Sequence, residues 1–293
     1  MKTAASVVLA LLLSALVPAL AESDYVAGIQ KWRAEEEADL KKPDGWLALA
    51  GLFWLKEGTN TVGAGSSFDV RLTDNFKEGK FGEIAFHNGS ATLMVDKGVD
   101  ATAKGEPVAT IELASDANGK PTEIHIGSQL FYLIQRGDRY GIRVKDSESK
   151  SRTEFKGQNW YPIDQSYRVK AHLQALPKPK ELLVPNVLGG HFKMKSPGLL
   201  HFKLAGKELS FQPVLEDDGS LFIIFRDATN DTETYSAGRF LHADKPVNGE
   251  AILDFNKAEN PPCAFTPYAT CPLPPAGNDL PVAIKAGEKR YDH

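Results

Sequence analysis

Two patterns of apolar and polar positions divide this chain. From Ser23 to Lys42 the spacing is helical: Tyr25, Ile29, Trp32, Glu36 and Leu40 fall on one side, and Lys31, Arg33, Glu35 and Asp39 on the other. Ser23 or Asp24 is a candidate cap, and Pro43-Asp44-Gly45 is a stop signal. This predicts one amphipathic helix over 22–45, docked on a β-core. From Trp46 onward the pattern becomes short apolar runs separated by turn dipeptides. Leu47 to Leu55 reads as a strand buried on both faces. Asn88-Gly89 predicts a hairpin between Glu83–His87 and Ser90–Val95. Asn118-Gly119 predicts a second between Val108–Leu113 and Glu123–Ile126, and Gly137-Asp138 a third between Gln129–Arg136 and Arg139–Lys145.

The second part repeats this regime. Lys145 to Trp160 is polar and aperiodic and reads as a surface loop. Leu176 to Pro197 has four prolines and Gly189-Gly190, which predicts a connection with one edge strand over Glu181–Val184. Leu199–Leu204 should turn at Ala205-Gly206 into Lys207–Val214, and Asp218-Gly219 should lead into Leu221–Phe225. The expected fold is mainly β: antiparallel sandwich or barrel halves packed as one unit, with one N-terminal amphipathic helix. Its parts are a leader over 1–21, the helix over 22–45, a first β-half over 46–146, a loop-rich connection over 147–197, and a second β-half over 198–293.

The segment 251–288 stands apart. It holds both cysteines of the chain and seven prolines in 38 residues. Such proline density removes too many amide donors for a helix or a central strand, so the segment must be irregular and wrapped on the scaffold as a closing piece.

Composition adds an address. Lys2, the apolar run Ala4 to Leu16 and Ala19-Leu20-Ala21 fit an export signal with its cleavage site, leaving 272 of 293 residues. The run is short for a bilayer span, so no transmembrane anchor is expected after cleavage, and the expected location is periplasmic or secreted. The net charge of −4 comes from dispersed residues, which argues against nucleic acid as partner. A small molecule or envelope component remains possible, and oligomeric state is open.

At this point the motifs resemble a known family. Phe225-Arg226-Asp227-Ala228-Thr229, Thr234-Tyr235, Gly238-Arg239, Asp254-Phe255-Asn256, Asn260-Pro261-Pro262-Cys263-Ala264-Phe265-Thr266 and Cys271-Pro272-Leu273-Pro274-Pro275 resemble the bacterial and archaeal family called domain of unknown function 1684. Gly45-Trp46-Leu47, Glu57-Gly58, Arg143-Val144-Lys145-Asp146 and Arg152 match it as well. The resemblance implies a shared architecture and no activity. One departure is Asn230-Asp231, which stands where a glycine-containing turn is expected after Thr229. In the first half, Glu57–Gly65, Phe68–Leu72 and Ile124–Ile134 are similar to a forkhead-associated sandwich. The arginine, serine and asparagine loops of its phosphopeptide-binding members are missing, so the likeness implies a fold and not that activity.

The candidate chemistry centres on the closing segment. Cys263 and Cys271 in an oxidising compartment are expected to form a disulfide; buried free thiols, and after them a metal or redox role that the spacing does not signal, are the alternatives. Arg239, Asp254, Asn256 and Asn260, with Asp227 and Tyr235, are the ligand-binding candidates, because an arginine and carboxylates can grip a charged or sugar-like ligand. The competing reading is that they hydrogen-bond the segment's own backbone. Catalytic residues are not identified; a hydrolase using Asp254 or Asp227 as base is the rival to a binding protein, and a module displaying the proline-rich strip is a third. No metal and no cofactor are expected: Asp227, Thr229, Asp231 and Glu233 alternate like a calcium loop, but Thr232 and Gly238 break that pattern. The seven histidines are scattered, and Ser147-x-x-Lys150 lacks its companion motifs. Trp46, Phe53, Trp54, Trp160 and Tyr161 read as core.

Overall fold

The computed structural model describes residues 4–73 and 79–292, with side chains of 22–73, 79–117 and 119–292. The side chains of the expected leader lie outside that set. Helix α1 spans Ala4–Leu40 in the full chain, running through the expected cleavage site, so Ser23 and Asp24 lie within it there. Among the described residues no helix is long and apolar enough to cross a membrane. The helix ends because the chain turns back sharply: a Cβ on Gly45 would stand 2.6 Å from the Leu40 carbonyl oxygen, an approach only glycine permits.

The rest of the molecule is mainly β, as the alternation predicts. The first half carries β1 (Leu49–Trp54), β2 (Gly58–Ala64), β3 (Val70–Leu72), β4 (Lys80–His87), β5 (Ser90–Val95), β6 (Thr102–Ala103), β7 (Glu106–Pro107), β8 (Thr110–Glu112), β9 (Ile124–Ile126), β10 (Gln129–Arg136) and β11 (Arg139–Asp146). They form a five-stranded sheet, β3-β2-β4-β5-β8, facing a six-stranded one, β1-β11-β10-β9-β6-β7. All the pairs are antiparallel except β2 with β3. Val62, Phe81, Ile84 and Leu93 from one sheet and Phe131, Leu133, Ile142 and Val144 from the other share a core. This is a sandwich, and neither sheet closes into a barrel.

Two of the three expected hairpins form as read. Asn88 and Gly89 both have positive φ, as a type I′ turn needs, and pair His87 with Ser90; Gly137 at φ 63° pairs Arg136 with Arg139. Asn118-Gly119 makes no hairpin. β8 pairs with β5 in one sheet and β9 with β10 in the other, so this turn carries the chain between the sheets. The β1 prediction also needs correction, since only alternate residues of its first part are buried and its end is half-exposed.

The second half carries β12 (Arg168–Pro185), β13 (His191–Leu204), β14 (Lys207–Phe211), β15 (Val214–Leu215), β16 (Leu221–Phe225), β17 (Arg239–Ala243) and β18 (Glu250–Asp254). They form a four-stranded sheet, β14-β13-β12-β18, and a three-stranded one, β15-β16-β17. The stretch expected to be loop-rich is in fact a long hairpin, with Lys180–Pro185 paired to His191–Ser196. Pro177 and Pro179 fall in a register break between Ala175 and Lys180, where no ladder donor is required, so they do not interrupt the strands. The Ala205-Gly206 hairpin and the β15–β16 pair form as predicted.

The closing segment fills the seam between the halves. Leu280, Val282, Ile284 and Ala286 complete the core of the second half. Ala269 and Cys271 pack with Leu49 of the first half and Val184, Ile224 and Phe240 of the second. Thr266 Oγ1 donates to the Leu49 carbonyl at 3.2 Å, Arg136 Nε donates to Thr270 Oγ1 at 3.0 Å, and the Leu273 amide donates to the Pro185 carbonyl at 2.7 Å. One stretch thereby bonds to both halves, and this packs them as one unit. An irregular chain can be buried here because its amides and carbonyls find such partners.

Candidate functional site

The residues singled out from the sequence fall into separate places. Arg239 opens β17 and is fully buried. Its Nη2 meets Asp227 Oδ2 at 2.7 Å, with neither side chain exposed. The same guanidinium donates to the carbonyls of Ile284 at 3.0 Å, Glu288 at 3.3 Å and also Ala286. Asp227 Oδ1 accepts from the Thr229 amide at 2.8 Å, the Thr229 hydroxyl at 2.6 Å and the Ile284 amide at 3.2 Å. This buried pair ties down the final stretch of chain. A buried charge pair persists when most of its remaining hydrogen-bonding positions are filled in this way; only Arg239 Nε lacks a partner. The adjoining departure from the family motif resolves itself: Asp231 adopts φ 72°, the left-handed conformation a glycine would take, and its carboxylate meets Arg226 at 3.1 Å.

Asp254 and Asn256 belong to a second network. Tyr25 of α1 donates its hydroxyl to Asp254 at 2.9 Å, and Asn256 bonds Asp164 through both its oxygen and its amide. Arg33, expected on the solvent face of the helix, instead donates to the carbonyls of Tyr161 and Asn256 and lies 4.6 Å over the Trp160 ring. These contacts seat α1 on the second half. Burial and the neighbouring Asp254 charge push the Tyr25 hydroxyl above its ordinary pKa. Tyr235 donates to the Cys263 carbonyl at 2.9 Å and lines the seam rather than an open cavity. Thus Arg239, Asp227, Asp254, Asn256 and Tyr235 satisfy the protein's own chain, and of the six candidates Asn260 alone lines one of the two cavities of the seam.

Cys263 and Cys271 are brought together but carry free thiols, so the expected disulfide is absent. The Cys263 amide approaches Cys271 Sγ at 3.2 Å. A hydrogen bond from the Cys271 thiol lowers the Cys263 pKa and raises that of Cys271.

The open space lies at the seam. An apolar cavity of about 370 Å³ is lined by Trp46, Phe192, Met194, Phe240, Cys271 and Pro272, with Arg136 at its edge. A second, of about 530 Å³, is lined by Glu36, Asp39, Asp44, Gln158, Glu259 and Asn260 together with Trp46, Phe222 and Phe240. The two share Trp46, Phe240 and Pro262, so they abut and form one cleft between helix, halves and closing segment. Trp46, expected in the core, is 38% exposed at that junction. A cavity of similar size beside the Asn88-Gly89 hairpin draws only on the first half.

At the polar end of the cleft sequence reasoning reached only Asn260. Glu259 is held there by paired backbone bonds with Phe240, both 2.9 Å. Glu288 is placed by Gly287, whose φ of 79° lets the chain pass so close to Ala258 that a Cβ would stand 2.4 Å from its carbonyl oxygen. Glu288 then accepts the Asn260 amide at 2.8 Å. Burial, then the negative charges of Glu36 and Glu288, hold the Glu259 carboxyl well above its ordinary range. Burial pushes Glu288 up to about 7. Gln158 Oε1, Asn260 Oδ1 and Glu288 Oε1 are buried acceptors without a hydrogen-bond partner in the protein. The closing segment already contained Glu259, Asn260 and Glu288; nothing local marked Glu36 or Gln158 as their neighbours.

The comparisons add a family. Residues 153–289 match the model of the family described as Protein of unknown function (DUF1684). The earlier pieces that resemble the family, including Gly45-Trp46-Leu47 and Arg143-Val144-Lys145-Asp146, precede the matched residues. The chain is similar to an uncharacterized protein from gene locus rrnAC0354 of Haloarcula marismortui, solved in solution by NMR. The identity is 29%, over 47% of this chain and 78% of that one, with a TM-score of 0.40. It is also similar to the Rv0020c FHA structure at 21% identity, over 33% of this chain and 94% of that one, with a TM-score of 0.22. No curated protein matches it.

Proposed function

We propose that this is a small-ligand-binding protein of the cell envelope and that its ligand occupies the seam cleft. The supporting observation is the set of unpartnered acceptors, Asn260 Oδ1 above all, beside an apolar cavity walled by Trp46, Phe192 and Met194. A site of that composition gains affinity from apolar burial and orientation from a few polar groups. Export rests on the leader-like pattern over 1–21. After export, Cys263 and Cys271 form a disulfide by exchange with an oxidising protein disulfide: both thiols lose their protons, one S–S bond forms here, and the donor is reduced to a dithiol. Cys263 is half-buried and Cys271 buried, so Cys263 is the sulfur the donor can reach first. The test is a thermal-shift screen of the purified protein against envelope metabolites and divalent metals. A ligand of the native state raises Tm, and Trp46→Ala abolishes that shift without removing the fold.

The raised Glu259 carboxyl beside Glu36 favours a second reading, a hydrolase in which Glu259 supplies the acid. Asp227 and Asp254 are set aside as candidate bases, because both are committed to the protein's own donors. Turnover of ester or glycoside probes that Glu259→Gln abolishes would establish it. The display of a proline-rich strip is disfavoured, since Phe265, Ala269 and Cys271 face inward.

A further inference from the structure

The polar end of the cleft is built almost wholly of hydrogen-bond acceptors. Glu36, Asp39, Asp44 and Glu259 line it against one cation, Lys42, whose ammonium is already 2.6 Å from Asp39. Asn260 is 6% exposed, and its amide nitrogen donates to the Lys289 carbonyl at 2.7 Å, which fixes its oxygen as the unpaired atom. Gln158 Oε1 is a second unpaired acceptor on the same wall. Leaving buried acceptors unpaired is unfavourable, and a group that only donates would relieve it. An alkylammonium offers three donors and a charge. The adjacent apolar cavity, reached across Trp46, gives room for a hydrocarbon arm; the Trp46 ring itself already carries Arg143 at 5.5 Å and Lys145 at 5.9 Å, so it serves as an apolar wall and not as the seat of the ammonium.

We propose that the cleft binds a small amphipathic primary amine, its ammonium among Glu36, Glu259, Gln158 and Asn260 and its apolar arm among Phe192, Met194 and Phe240. This rests on the cleft being the ligand site. Without a bound cation, burial and the neighbouring carboxylates keep Glu259 above its ordinary pKa, so the site accepts either a proton or the ammonium. The groups facing Glu259 are Glu36 and Glu288, with Asp39, Asp44, Lys42 and His242 further along the wall.

The test is calorimetric titration of the full chain with hexylamine, 1-hexanol and calcium chloride. Hexylamine should bind, with hexanol weaker by about tenfold or more, the range expected for losing a charge-assisted contact. Glu259→Gln should weaken hexylamine by a similar factor and leave hexanol unchanged. Should that variant melt early, Glu36→Gln on the helix surface takes its place with the same expected result. Equal binding of amine and alcohol would overturn the ammonium assignment while leaving the cleft as a binding site. Calcium binding that displaces hexylamine, or that occurs without any response to hexylamine, would also overturn it, in favour of a metal. No binding of hexylamine or hexanol, with Trp46→Ala silent in the envelope-metabolite screen, would remove the cleft reading itself.

Discussion

The Arg239–Asp227 pair and the Glu36–Glu259 wall are both sets of charged residues gathered against the closing segment, and they end in opposite states. Around Arg239, three carbonyls, a carboxylate, two amides and a hydroxyl fill every position but one, the Arg239 Nε donor, which has no partner. At the wall, carboxylates face one another and amide oxygens lack donors. A network that satisfies itself holds a chain in place; one left short of donors is suited to receive something. The residue types that looked most like ligand binders in the sequence are the ones the fold consumes.

The largest effect should come from breaking the satisfied network. Arg239→Met leaves Asp227 buried without its partner and should lower stability by about 3–5 kcal/mol, read from chemical unfolding. A loss under about 1 kcal/mol would mean that the closing segment is held without this pair. Next comes pH. Glu288 keeps its proton to about 7 in the folded state against 4.5 for its ordinary value. Its contribution is therefore fully present below about 4.5 and is lost as pH rises through 7, by about 3 kcal/mol in all. Unfolding curves across that window should show the decline, and Glu288→Gln should make it shallower, leaving the part that the raised Glu259 carboxyl contributes with the same sign. A profile that rises instead would contradict the burial of this carboxyl. The disulfide proposed for the exported protein closes a short loop and should add about 2.5 kcal/mol over the reduced form. Melting with and without reductant measures it, and an unchanged Tm would show that the thiols stay apart. The smallest effect is the surface control: Val247 is 70% exposed, and Val247→Ser should change stability by less than about 0.5 kcal/mol.

The fold was legible where the signal is local. Asn88-Gly89 and Ala205-Gly206 need positive φ at both turn positions, and the residues that supply it are in the sequence. Asn118-Gly119 offers the same letters and makes a crossover, because strand partners are chosen by the sheets and not by the turn. The long hairpin was hidden by Pro177 and Pro179, which sit in a register break that only the paired structure reveals. The closing segment was legible as a rigid cover from its prolines, and its place in the seam agrees with that. The cleft was not legible. Glu36, Gln158 and Glu259 come from the helix, a loop and the closing segment, and no spacing joins them. Arg33 was placed outward by helical period, yet its long stem let the guanidinium reach back under Trp160.

The central claim is that ligand is received at the unpaired wall and not at the paired networks. Side-chain amide resonances report on it directly, because Gln158 and Asn260 belong to the wall and Asn256 to the helix seat. On titration with hexylamine, the Gln158 and Asn260 amide signals should shift together and saturate, with Asn256 unmoved. A saturating shift at Asn256 with Gln158 and Asn260 unchanged would contradict the account.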